Sequence, residues 1–274
     1  MALALHIRTP TGRLAQYVSS LWVSEGTPPE HKLERVLPYG NASLILNLAE
    51  DRIWTYERES GAAAEGLAGA IVAGPRSRYE VIDTECQKLL AGVTLRAEGA
   101  ALLLGAPVGE LTDSDVPLDA LWGEAARRWR ERVMEARTAE GRLAALESGL
   151  TERLPEEGPP RVVAYGVEEL RRGGESARLA AVAEATGLSQ RRFIELFRQH
   201  VGMGPKVFQR VQRFQAALRM AHAGRRVSWS ELALECGYYD QSHFVRDFRE
   251  FSGMTPGEYA ARARSYANHV AIGW

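Results

Sequence analysis

A stretch of about fifty residues occurs twice in the last third of this 274-residue chain, and such a repeat constrains the fold before any single residue does. The first copy contains Val182-Ala183-Glu184-Ala185-Thr186-Gly187-Leu188-Ser189, then Phe193, Phe197, Gly202 and Pro205. The second contains Leu232-Ala233-Leu234-Glu235-Cys236-Gly237-Tyr238, then Phe244, Phe248, Gly253 and Pro256. A small residue, Ala183 or Ala233, sits where a second helix must cross closely. Each first helix is expected to stop at a glycine, Gly187 or Gly237, which supplies the left-handed conformation of a tight C-terminal cap. A helix-starting residue follows, Ser189 or Asp240, whose side-chain oxygen suits the orphan N–H groups of the next helix.

The next helix of each copy is amphipathic. Phe193, Leu196 and Phe197 form one apolar stripe, and Phe244 and Phe248 the other. Each copy therefore reads as a helix-turn-helix unit. Ser228 with Glu231 and Thr255 with Glu258 have capping-box spacing, and Pro205 and Pro256 stand at first helical positions. Lys206 to Ala223 has neither proline nor glycine and keeps helical apolar spacing, so one continuous helix is expected to join the units.

The outward faces carry Gln190, Arg191, Ile194, Glu195 and Arg198 in the first unit, and Gln241, Ser242, Val245, Arg246 and Arg249 in the second. Such faces suit a major groove, where arginine grips guanine in bidentate fashion and glutamine pairs with adenine. Basic residues near the helix ends would hold phosphates and set register.

The run from Gly237 through Asp240, Gln241, Phe244, Arg246, Phe248 and Gly253 to Pro256 and Tyr259 closely resembles the second-unit signature of AraC/XylS-family transcription regulators. The resemblance covers about residues 161–262. It implies two recognition helices entering successive major-groove segments, so that one chain reads an asymmetric site. By position it makes Arg191, Ile194 and Glu195, and Gln241, Ser242, Val245 and Arg246, the base-reading candidates. Glu195 departs from the family pattern, in which a basic residue is frequent there. An acid would accept from cytosine N4 or pair with Arg191 or Arg198 on the helix surface.

The formal net charge of −1 does not suggest nucleic acid, but its distribution does. From Arg161 onward there are 17 basic and 11 acidic residues, against 17 and 24 before it. A basic C-terminal domain beside an acidic N-terminal one is the footprint of a tethered DNA reader. Its core is expected to be self-contained within residues 161–274. The linker Pro155-Glu156-Glu157-Gly158-Pro159-Pro160 separates the two.

Residues 1–95 alternate turn signals with short β-rich runs at Ser20–Ser24, Leu33–Leu37, Ser43–Ala49, Arg52–Tyr56, Leu67–Ala73, Arg78–Ile82 and Lys88–Leu95. Helical pieces follow at Glu98–Leu104, Val108–Leu111, Glu124–Ala136 and Glu140–Arg153. The expected fold class is α+β: an N-terminal small β-barrel or sandwich with following helices (1–154), and a C-terminal all-α domain of two helix-turn-helix units joined by a long helix (161–262). Two N-terminal segments, Glu34 to Gly40 and Gly105 to Gly123, resemble a sensor-type domain in one branch of AraC-like regulators. Trp22, Arg35, Asn47, Trp54, Tyr56 and Arg76 are candidates for binding an anionic or aromatic effector. Against that, Trp22 and Trp54 fit a barrel core, and Arg35 and Arg76 suit solvent or pairing with Glu34 and Glu80. The helices around Trp129 offer a dimer interface.

His6 and His31 stand far apart and form no metal motif, no catalytic signature is present, and no cofactor or enzymatic activity is expected. Two cysteines make no disulfide framework, and Cys236 reads as a small core residue. The absence of a signal-like N-terminus or membrane-length apolar run predicts a cytoplasmic protein without a membrane partner. The leading reading is a transcription regulator. Its expected partners are double-stranded DNA, a small-molecule effector or a second copy of the chain, and RNA polymerase if it activates. One alternative makes the N-terminal half a ligand-independent protein-interaction module. Another, an alkylation-repair enzyme fused to the same DNA-binding domain, rests on Cys86 alone.

Overall fold

The computed structural model describes residues 3–172, 179–223, 228–262 and 266–272, apart from the side chains of Glu65 and Cys86. Eleven strands and eleven α-helices lie among them. The strands are β1 (Ala4–Arg8), β2 (Val18–Glu25), β3 (Leu33–Val36), β4 (Ser43–Asn47), β5 (Arg52–Tyr56), β6 (Ala63–Ala68), β7 (Ala70–Ala73), β8 (Glu80–Asp83), β9 (Leu89–Leu95), β10 (Asp115–Pro117) and β11 (His269–Ala271). The first four helices are α1 (Ala100–Leu104), α2 (Leu118–Trp122), α3 (Glu124–Glu135) and α4 (Ala139–Thr151). The C-terminal ones are α5 (Arg161–Arg172), α6 (Leu179–Ala185), α7 (Gln190–Val201), α8 (Pro205–His222), α9 (Trp229–Glu235), α10 (Gln241–Ser252) and α11 (Pro256–Arg262).

The N-terminal strands form an open antiparallel sheet in the order β1-β2-β9-β4-β7-β10, a β5-β6 hairpin, and a three-stranded sheet β11-β3-β8. In β4 and β9, Leu44, Leu46, Ala91, Val93 and Leu95 are buried under α3 and α4. Trp129 of α3 is buried there, 5.5 Å from the Trp122 ring, and Gly149 of α4 leaves room for it, because a Cβ would come within 2.2 Å of the indole. Trp129 is thus a core residue and presents no indole to a dimer interface.

The expected 67–73 strand is two strands, because the chain breaks pairing at Gly69, whose carbonyl accepts from the Asn47 N–H. Strands β1, β10 and β11 escaped the sequence reading. The last of these matters most. It lies beyond the helix-turn-helix domain yet pairs with β3, placing His269 opposite Val36 and Ala271 opposite Glu34.

The second hydrophobic cluster is built from the C-terminal helices, and it also takes in Leu37 and Ala97 from the N-terminal half. The expected self-contained core of residues 161–274 is therefore completed from outside it. Gln215 of α8 donates to the Pro38 carbonyl at 2.8 Å, and Arg35 donates to the carbonyls of Ser252 and Gly253 at 3.1 and 3.0 Å. The linker is itself docked, with Arg13 donating to the Glu156 carbonyl at 3.1 Å.

Candidate nucleic-acid interface

Local chemistry builds both units alike. Gly187 and Gly237 have φ of +73° and +78°. The Ser189 hydroxyl accepts from the Arg192 N–H at 3.3 Å, and the Asp240 carboxylate from the His243 N–H at 2.7 Å. Ser228 and Glu231 form a reciprocal capping box, and Thr255 and Glu258 exchange the same pair of bonds. These bonds hold the carboxyls of Glu231 and Glu258 below the usual range. Ala183 and Ala233 are buried at the helix crossings.

The aromatic stripes turn inward. Phe193 packs on Phe197, which meets Phe208 of α8 at 5.5 Å; Phe248 meets Phe214 of the same helix at 5.2 Å. One 18-residue helix thus carries both units, as its unbroken apolar spacing predicted. Gly166 of α5 lets the first unit's helix approach closely: a Cβ there would lie 2.6 Å from Phe193 Cζ.

With the phenylalanines inside, the opposite faces are presented to solvent. Gln190, Arg191, Glu195 and Arg198 are exposed on α7, with Ile194 half-buried. Gln241, Ser242, Arg246 and Arg249 are exposed on α10, and Val245 leans on the core. Together Gln241, Ser242, Val245, Arg246 and Arg249 line a shallow concavity of about 480 Å³.

The two faces differ electrostatically. Arg191 pairs with Glu195 at 3.1 Å, and Arg192 approaches the other oxygen of the same carboxylate at 3.6 Å. Among the described residues Arg246 makes no ion pair, so its guanidinium is available to a ligand without breaking one.

Sequence reasoning missed a buried charge that fixes α10. Asp247 sits on the apolar stripe between Phe244 and Phe248 and is 1% exposed. Arg210 of α8 donates to it at 2.8 Å and to Glu250 at 2.5 Å. These bonds raise the Arg210 guanidinium above the usual arginine range. Arg213 is buried beside it and lies 5.0 Å over the Tyr238 ring. The available signal was an acid at a core position in α10 together with arginines at inward positions of α8. Cys236 is buried, and burial pushes its thiol up to about 11, with the Glu235 charge adding to the rise, which fits a core residue.

Each of the six N-terminal effector candidates has neighbours within the protein, and Arg35, Tyr56 and Arg76 all lie against β8. Trp22 packs against Gly92 of the neighbouring strand, and Trp54 covers Gly66 of its own hairpin while remaining 37% exposed. Asn47 is fully buried; it accepts from the Ala49 and Glu50 N–H groups and donates to the Arg52 carbonyl, closing the β4–β5 turn. Tyr56 donates to Asp83 at 2.7 Å. Arg76 pairs with Glu80 at 2.8 Å and Asp115 at 2.5 Å, whereas Arg35 turns to the C-terminal domain. Burial raises the Glu80 and Asp115 carboxyls against the pull of Arg76. Among the described residues no group of three or more histidines, cysteines or acids is placed to hold a metal, and no helix is long and apolar enough to cross a membrane. The Cys86 thiol, on which the repair-enzyme alternative depends, lies outside the described residues.

This geometry defines a double helix-turn-helix domain. Residues 182–262 match the family described as a helix-turn-helix domain, and residues 6–117 match a domain of unknown function, DUF6597. An uncharacterized HTH-type transcriptional regulator of Haemophilus influenzae is 33% identical over 78 residues, which are 28% of this chain and 26% of that protein. The arabinose operon regulatory protein of Escherichia coli is 30% identical over 94 residues, 34% of this chain and 32% of that protein. The chain thus spans about a third or less of the length of the curated relatives it matches. The structure of ToxT from Vibrio cholerae aligns over 94% of this chain and 97% of its own at 10% identity and a TM-score of 0.43, a likeness that carries no functional argument. The C-terminal domain belongs to the AraC/XylS family.

Proposed function

We propose that the chain is a sequence-specific DNA-binding transcription regulator acting in the cytoplasm. The observation that carries this reading is the pair of exposed polar helix faces, on α7 and α10, borne by duplicated, capped units on the single helix α8. The two faces enter successive major-groove segments of one asymmetric site. The second unit supplies most of the base readout, because its Arg246 is free for guanine. In the first unit Glu195 occupies Arg191, so that unit mainly positions the chain on the phosphates. An activator built this way would also meet RNA polymerase.

Selection of bound sequences from a random DNA pool at defined salt tests the proposal. Two short elements about one helical turn apart are expected, with the stronger one assigned to α10. No enrichment by the full chain, with or without metabolite mixtures, would overturn it.

For the N-terminal half, the protein hydrogen bonds and ion pairs already made by Arg35, Asn47, Tyr56 and Arg76 favour a protein-contacting role, through a second copy or another protein, over a small-molecule sensor. A thermal-shift screen separates the two: stabilisation by a metabolite class would restore the sensor.

A further inference from the structure

Gly202 and Gly253 are equivalent in the repeat, each ending the recognition helix of its unit, with φ of +94° and +68°. Both are covered by one short N-terminal segment. A Cβ at Gly202 would lie 2.5 Å from Pro75 Cγ; a Cβ at Gly253 would lie 2.5 Å from Tyr79 Cε1. The Tyr79 N–H donates to the Phe251 carbonyl at 2.9 Å, and Thr112 donates to the Gly202 carbonyl. Tyr79 is four residue steps on from Pro75, and such a segment reaches at most about 14 Å. The C-terminal ends of both recognition helices are therefore gathered on a single strap.

The strap is rigidly held. Asp113, the one non-glycine residue with positive φ among those described, accepts from the Ser77 N–H and hydroxyl at 2.7 and 2.6 Å. Its own N–H donates to the Pro75 carbonyl at 3.1 Å. Arg76 is locked by Glu80 and Asp115. The Arg35 guanidinium lies 4.6 Å from the Tyr79 ring centre while donating to the carbonyls that end α10. At the other helix, Gly109 packs against the Arg198 carbonyl, where a Cβ would come within 3.0 Å.

We propose that the Pro75–Tyr79 strap fixes the relative orientation of the two recognition helices, which makes Tyr79, Pro75 and Arg35 positioning residues for a two-element DNA site. The inference rests on the reading of both units as DNA readers. Helix α8 sets how far apart the units stand. A helix end fixed at a second point can no longer swing about α8, and a rigid pair of heads has a high effective concentration for one spacing of elements and a low one for others.

The test measures affinity of the full-length protein for its selected site, for the same site with the spacing changed by about two base pairs, and for a single element. Tyr79→Ala and Arg35→Ala should each narrow the wild-type preference for the selected spacing by roughly ten-fold while leaving single-element affinity within about two-fold. Tyr79→Phe, which keeps the ring on Gly253, should behave as wild type. Full spacing preference retained in both alanine variants would overturn the strap alone. Loss of single-element binding in both would also overturn it, since the residues would then serve folding. A wild-type protein indifferent to spacing would overturn the two-reader proposal and this inference with it.

Discussion

Arg210 and Asp247 join the connecting helix to the second recognition helix through two bonds, at 2.8 and 3.3 Å, to a carboxylate that is almost fully buried. The pair sets the rotation of α10 about its axis, and so determines that Gln241, Ser242 and Arg246 face outward. Removing Arg210 strips this buried carboxylate of two charge-assisted hydrogen bonds and leaves Arg213 at 4.0 Å and His243 at 3.8 Å to offset its charge, which costs more than losing a surface pair. Arg210→Ala should destabilise the protein by about 3 kcal/mol in denaturant unfolding. Glu250→Ala, which removes the exposed partner of the same guanidinium, should cost about 1 kcal/mol or less. Equal losses would show that Asp247 gains nothing special from Arg210.

Glu195 holds Arg191 and Arg192 on the reading face of the first unit. Glu195→Ala should free both for phosphates, raising DNA affinity and steepening the salt dependence by about two charges. Titrations across a range of salt concentrations check this. If Glu195 instead accepts from a cytosine, affinity for the selected site will fall while that for random DNA will not.

Arg246→Ala should relax specificity at one base pair and cost about 1–3 kcal/mol, the worth of a good bidentate base contact. Competition between the selected site and random DNA gives the answer. A loss equal on both would assign Arg246 to phosphate.

Glu34 is buried beneath the C-terminal strand, where it meets His31 at 2.6 Å and His269 at 3.0 Å. Burial alone would raise its carboxyl, but the bonds and charges of His269 and His31 outweigh that and hold it at about 2, against the usual 4.5. A folded value below the unfolded one gives stability that is present above the unfolded value and lost as pH falls toward the folded one. Between about pH 4.5 and 2 the protein should lose about 2–3 kcal/mol through this group. Glu34→Gln should flatten that part of the stability profile while also lowering stability at neutral pH. An unchanged acid slope in the variant would place the effect elsewhere.

Much of the C-terminal domain was legible because its determinants are local. Glycine at a positive-φ cap, a serine or aspartate starting a helix, and a phenylalanine pair one turn apart each act within a few residues. The sequence alone therefore determined the duplicated units, the helix joining them and the outward faces. It also foresaw the Arg191–Glu195 pairing as one of two readings. The N-terminal half was legible only in part, because its short strands gain their stability from partners far along the chain, and strands such as β1 and β10 carry almost no pattern of their own.

Only the tertiary structure decided how the halves meet. Arg35 finds its acceptors 217 and 218 residues away, and β11 finds β3 across nearly the whole chain. Neither partner announces the other in sequence, since a carbonyl at a helix end or an open strand edge is common to every residue type. The same holds for Asn47, Arg76 and Tyr56: their side-chain chemistry suited a ligand, but folding placed protein atoms beside each of them. A buried polar group must be paired, and which group completes the pair depends on packing that no local pattern records.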